Sequence, residues 1–166
     1  MSTSGLGLDT LNLRTTLPIL TGALYTFGVS GGLYNFIDPV AGAKYFGIVP
    51  PHSQPTPTEA AYTKINGIRN LTNAAFGLGM IAFLQLSSTC TKLPTGPFVA
   101  AAVRKGLGYS MLLASAVTFS DGYILQQFSD AEGLSEEAVN IAKTQRQRYA
   151  ALALPVALLG VGWIYA

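Results

Sequence analysis

The chain is poor in the residue types that carry most redox, metal and phosphoryl chemistry. Cys90 is the only cysteine among 166 residues, which excludes a disulfide framework and a cysteine-built metal site within one chain. Histidine is as scarce, and His52, alone in a proline-rich stretch, reads as a solvated loop residue. There is no glycine-rich nucleotide loop and no paired histidine, so neither a metal nor a cofactor is expected. Charge is sparse too: 11% of residues are charged, less than half of the roughly 25% usual in soluble domains. Lysines and arginines stand singly or in pairs, without the basic cluster of a nucleic-acid binder, so nucleic acid is not expected as a partner. Met1 to Arg14 lacks the basic cluster that opens a signal peptide, and the first apolar stretch is expected to be retained.

What the chain does have is apolar length. Hydrophobic residues make up 49% of it, and the mean hydropathy is +0.38. Thr15 to Ile37 contains no charged residue, enough to cross a hydrocarbon core of roughly 30 Å, which takes about 20 helical residues. Within it, Gly28 and Gly32 form a G-x-x-x-G pair that can let another helix approach closely. Repeated prolines between Asp38 and Pro57 predict a loop. Thr56-Pro57-Thr58-Glu59 is a helix start, with a capping threonine, proline at the first helical position and glutamate three residues after the cap. Ser87 to Pro97 reads as a polar turn. Ser135 before Glu136 and Glu137 reads as a second cap, opening an amphipathic segment that leads through Pro155 to Trp163 and Tyr165 as interface anchors. The expected fold is all-α, one integral membrane domain over residues 1–166. It is a four-transmembrane-helix bundle (about 15–37, 57–86, 98–128 and 135–166) with a short amphipathic lead-in to the fourth helix. Basic residues divide too evenly between the two sides to fix an orientation.

The second helix departs from this apolar pattern. Asn66, Arg69, Asn70 and Asn73 stand at i, i+3, i+4 and i+7 and so share one face. An arginine at that depth is costly in lipid and calls for a partner in a bundle interior or wet cavity. Because the second helix runs opposite to the first and third, one layer is expected to collect several polar groups. These are Asn66, Arg69 and Asn70, Tyr34, Asn35 and Asp38 from the end of the first helix, Asp121 and Tyr123 from the end of the third, and Arg148 and Tyr149 from the fourth. Asp121 is the simplest partner for Arg69, with Asp38 a second one nearer the surface. A guanidinium is a planar fork that can hold two carboxylates, or one carboxylate and a substrate oxygen. Two readings follow: an ion pair with amides that fixes bundle register, or a polar pocket in which Asp121 acts as acid or base and Arg69 orients it.

The stretches INGIRNLTNAAFGLG, VRKGLGYS and FSDGY resemble a family of small four-helix integral membrane proteins of unknown function, frequent in fungi. The family pattern falls on Gly67, Arg69, Asn70, Arg104 and Asp121, and Asn70 stands where an acid is the rule, which weakens any two-acid mechanism built on that pair. The resemblance covers roughly residues 38–166. Some members resemble proteins encoded beside polyketide and terpenoid enzymes, which implies epoxide opening, cyclisation or isomerisation of lipophilic intermediates. The residues suit that chemistry on their own terms: a carboxylate to activate water or a substrate hydroxyl, an arginine to hold it, and a phenol to protonate the ring oxygen.

The expectation is therefore a cofactor-free acid–base enzyme of lipophilic secondary metabolism, most simply an epoxide hydrolase or cyclase, multi-pass in the endoplasmic reticulum. Its expected catalytic residues are Asp121, Arg69, Asp38, Tyr123 and Tyr34. Asn66, Asn70, Asn73, Tyr62, Asn35 and Tyr149 are expected to bind the substrate, a lipophilic small molecule. Membrane lipid is the other expected partner, and a second copy or a pathway enzyme stays open. The competing expectation is a non-catalytic scaffold, lipid-binding or partner subunit. Transport is disfavoured because four spans in one chain need oligomerisation to form a path.

Overall fold

Caps and prolines decide where the helices begin. A computed structural model describes residues 13–48 and 56–166, and His52 with its proline-rich neighbours lies outside the described residues. Among the described residues the fold is all-α: α1 (Leu13–Ile37), α2 (Pro39–Tyr45), α3 (Pro57–Leu86), α4 (Ser88–Thr91), α5 (Gly96–Ser129) and α6 (Glu136–Tyr165). At the start of α3 the Thr56 hydroxyl accepts from the Glu59 N–H, while the Glu59 carboxylate accepts from the Thr56 N–H at 2.7 Å. That reciprocal pair satisfies two amides that a helix end leaves unbonded. Ser135 caps α6 with one bond, its hydroxyl accepting from the Ala138 N–H at 3.2 Å.

Two short helices interrupt stretches expected to be irregular. α2 lies inside the proline-rich loop, because Asp38-Pro39 starts a helix by the same rule as Thr56-Pro57. The Asp38 carboxylate accepts from the Ala41 N–H at 3.0 Å, and Pro39 fills the first helical position. α4 is a single turn inside the expected polar turn.

The long helices form two antiparallel pairs, each held by a glycine crossing. In α1 and α3, Gly28 meets Ala74, and Gly32 meets Gly67 so closely that a methyl added at Gly67 would lie 2.9 Å from the Gly32 carbonyl oxygen. The G-x-x-x-G pair thus does what its spacing allows. In α5 and α6, a methyl at Gly108 would lie 2.6 Å from the Gly160 carbonyl oxygen, and one at Gly160 would lie 2.8 Å from that of Gly108. Further along the same crossing the Ser115 hydroxyl donates to the Ala153 carbonyl at 2.7 Å. α6 runs unbroken through Pro155.

The pairs join at two levels. At one end a core of Leu17, Leu107, Met111, Val156 and Trp163 draws on α1, α5 and α6. Trp163 is not the expected interface anchor: it is 3% exposed, and its indole N–H donates to the Thr21 hydroxyl at 2.8 Å. Tyr165 is exposed at that end. Trp163→Phe removes that bond and takes ring volume out of the core, so the unfolding midpoint in detergent is expected to fall by more than the equivalent of the about 1 kcal/mol that a hydrogen bond alone contributes. At the other end α3 meets α5 through Arg69 and Asp121.

The outer face carries many large apolar side chains. Phe27, Phe76, Phe83, Leu113, Phe119, Leu154 and Leu158 are all exposed, whereas Thr21 and Asn35 are fully buried. Among the described residues one helix, α6, is long and apolar enough to cross a membrane by length and composition.

Candidate functional site

Arg69 and Asp121 meet across the junction of the two helix pairs. Arg69 Nη2 donates to Asp121 Oδ2 at 3.4 Å, a long but direct ion pair. The Arg69 side chain is 46% exposed and that of Asp121 27%, so the pair lies at the edge of the bundle, where a ligand can reach it. One contact occupies one donor of a five-donor fork.

The pair opens on a cavity of about 470 Å³, within the roughly 300–1,000 Å³ range of small-molecule sites. Besides the ion pair, its polar lining residues are Asn66 and Tyr62 from α3 and Tyr149 from α6, and its apolar ones are Phe46, Ile48, Ile65, Ile124 and Leu125. Tyr62, Ile65 and Ile124 are exposed, which puts the mouth of the cavity on the outer surface between α3 and α5. Arg148 stands near the end of α2, where its charge lowers the pKa of Tyr45. Burial acts more strongly and leaves that phenol above its ordinary value.

Of the residues expected to gather in one layer, Arg69, Asp121, Asn66 and Tyr149 line the cavity, and so does Tyr62, which is expected to bind the substrate. Others stand elsewhere, for reasons of helix geometry. Asp38 is committed to capping α2. Asn35 is fully buried, its amide without a hydrogen-bond partner among the described residues. Gly42 and Gly67 close over it, and a methyl at Gly67 would lie 2.9 Å from the Asn35 Cβ. Tyr34 is turned about 100° from Asn35 around the helix and is 44% exposed. Tyr123 follows Asp121 by two residues, about 200° around α5, and is exposed as well. The two phenols expected to donate protons are therefore outside the cavity. Asn70 is half-buried and does not line the cavity, and Asn73 is exposed two turns of α3 beyond Asn66, roughly 10 Å along the axis.

The apolar lining was the part that sequence reasoning passed over. Ile65 stands four residues before Arg69, and Ile124 and Leu125 stand three and four after Asp121, the spacing that puts them on the same faces as the charged pair. Phe46 and Ile48 belong to the turn after α2. Among the described residues no three histidine, cysteine, aspartate or glutamate side chains gather as a metal site requires.

The sequence profile of a family described as a domain of unknown function, DUF4267, matches residues 26–163. No curated protein and no solved structure matches the chain. The match runs through all four long helices and encloses every residue of the cavity, and the chain belongs to the DUF4267 family.

Proposed function

We propose that this protein is a multi-pass integral membrane enzyme of the endoplasmic reticulum that performs cofactor-free acid–base chemistry on a lipophilic substrate, with hydrolysis or cyclisation of an epoxide as its reaction. The observation that carries this reading is the Arg69–Asp121 pair set into the wall of a largely apolar cavity that opens on the outer surface between α3 and α5. A pair that only fixed helix register needs no cavity beside it.

The membrane part rests on the four long helices of 25, 30, 34 and 30 residues. Each exceeds the roughly 20 residues a crossing takes, and their outward faces carry phenylalanine and leucine. Exposed apolar surface on this scale is unfavourable in water and suits lipid. The protein is expected to resist alkaline carbonate extraction, and of two acceptor sites for N-glycosylation, one added in the turn between α3 and α5 and the other between α5 and α6, only the one on the lumenal side should be modified. Release of the protein by carbonate would remove the multi-pass reading.

In the cavity, Asp121 as carboxylate takes a proton from water while the water oxygen attacks one epoxide carbon. The bond from that carbon to the ring oxygen breaks, and the Tyr149 phenol gives its proton to the resulting alkoxide. Transfer of the proton from Asp121 back to the phenolate, through water, restores both groups and leaves a vicinal diol. When a hydroxyl of the substrate replaces water, the same sequence closes a ring. Arg69 holds the carboxylate in place, and Asn66 offers its amide to the attacking oxygen. To test this, membranes containing the protein are incubated with a panel of lipophilic epoxides in ¹⁸O-labelled water and the products analysed by mass spectrometry. Diol carrying one labelled oxygen, or cyclised product without label, is expected above the background of membranes lacking the protein. Background levels across the panel would count against the reading.

A further inference from the structure

The cavity owes one wall to a turn that the polar residues do not explain. α2 ends in a Schellman motif: the Ile48 N–H donates to the Ala43 carbonyl and the Gly47 N–H to that of Lys44, both at 3.0 Å. Gly47 takes the left-handed conformation the motif requires, with φ of +89°. It also has no room for a side chain, since a methyl there would lie 2.9 Å from both Leu125 Cδ2 and Gln145 Cβ. The turn is thus wedged against α5 and α6, far in sequence from both. Phe46 and Ile48, on either side of the wedge, both line the cavity, as does Leu125 beneath it. Lys44 reaches Glu137 at 3.4 Å, but both side chains are largely exposed, so that pair adds little to the seating.

We propose that the Phe46–Gly47–Ile48 turn is the selectivity wall of the site, with Phe46 and Ile48 setting how much apolar substrate can lie beside Asp121. The substrate class this implies has one small oxygen function at the polar corner and an extended hydrocarbon body against Phe46 and Ile48. The inference rests on the reading of the cavity as a substrate site. Hydrocarbon that finds cover in such a wall is worth about fourfold per methylene, and hydrocarbon that meets a full wall is refused.

The test uses the purified full chain in lipid nanodiscs with a homologous series of terminal epoxyalkanes. The vicinal alkanediols of the same chain lengths serve as unreactive ligands in calorimetric titrations. Phe46→Ala and Ile48→Ala open the wall and are expected to raise the ratio of long-chain to short-chain kcat/KM about tenfold. Phe46→Trp fills it and is expected to lower the same ratio, so an effect in both directions excludes simple loss of fold. If wild type turns over the series and all three variants keep its chain-length profile, the wall is refuted and the site reading stands. If no epoxide reacts but diol affinity depends on chain length and shifts in these variants, the wall stands and the enzymatic reading falls. If no member reacts or binds, both fall.

Discussion

Asp121→Asn is expected to lower kcat by about 10²–10⁴-fold, the range over which a positioned acid or base contributes, in a protein that still folds and inserts. The substitution keeps the shape of the side chain and leaves an oxygen to accept from Arg69. It removes only the ability to take up a proton from the attacking water or hydroxyl. Unchanged turnover in the folded variant would end the assignment of Asp121. Arg69→Lys is expected to reduce activity less severely, since the charge stays while the planar fork that fixes the carboxylate is lost.

The same pair separates catalysis from architecture. If Arg69 and Asp121 only tie α3 to α5, Arg69→Leu and Asp121→Leu should each destabilise the bundle, and the double substitution should recover much of the loss. The single losses should be smaller than the roughly 3–5 kcal/mol of a fully buried pair, because the side chains are 46% and 27% exposed. Under the enzymatic reading the stable double variant is inert. A double variant that is both stable and active would make the pair a helix tie and move the chemistry elsewhere.

How far the sequence reveals this site depends on which forces place each residue. Thr56-Pro57 and Ser135 announce their helices because a cap acts over three residues, and the chain alone contains all of them. The meeting of Arg69 with Asp121 follows from helix direction, since antiparallel neighbours bring the start of α3 level with the end of α5. Rotation about each axis is harder. Tyr34, Tyr123 and Asn35 lie at the right depth but on other faces, and the faces are chosen by the glycine crossings rather than by the polar residues. α2 was legible in principle, from Asp38-Pro39 at its start and Gly47 after its end, but the prolines that follow outweigh these signals in a reading by composition. That Gly47 packs against Gln145 and Leu125 is a contact between distant segments, and no local pattern announces it.

Those crossings carry the other large expectation. Gly108→Ala is expected to destabilise the bundle by about 1–3 kcal/mol, the usual cost of forcing extra volume into a packed interface, and Gly108→Leu is expected to prevent recovery of folded protein. The added methyl at position 108 would stand 2.6 Å from the Gly160 carbonyl oxygen and 3.1 Å from the Ile164 backbone nitrogen. Both are backbone atoms that cannot rotate aside, so α5 and α6 must separate. Separation loosens the Ser115 bond to the Ala153 carbonyl and, further along, the contact between Gly122 and Tyr149 beside Asp121. Activity should therefore fall with stability at position 108, although that residue is more than three turns of α5 from the ion pair. Gly79 supplies the control, since it faces open space on α3. Gly79→Ala gains the helical preference of alanine, up to about 1 kcal/mol, and its unfolding midpoint should equal or exceed that of wild type. Equal tolerance at positions 79 and 108 would mean that α5 and α6 do not cross at glycine, and the placement of Tyr149 beside Asp121 would lose its support.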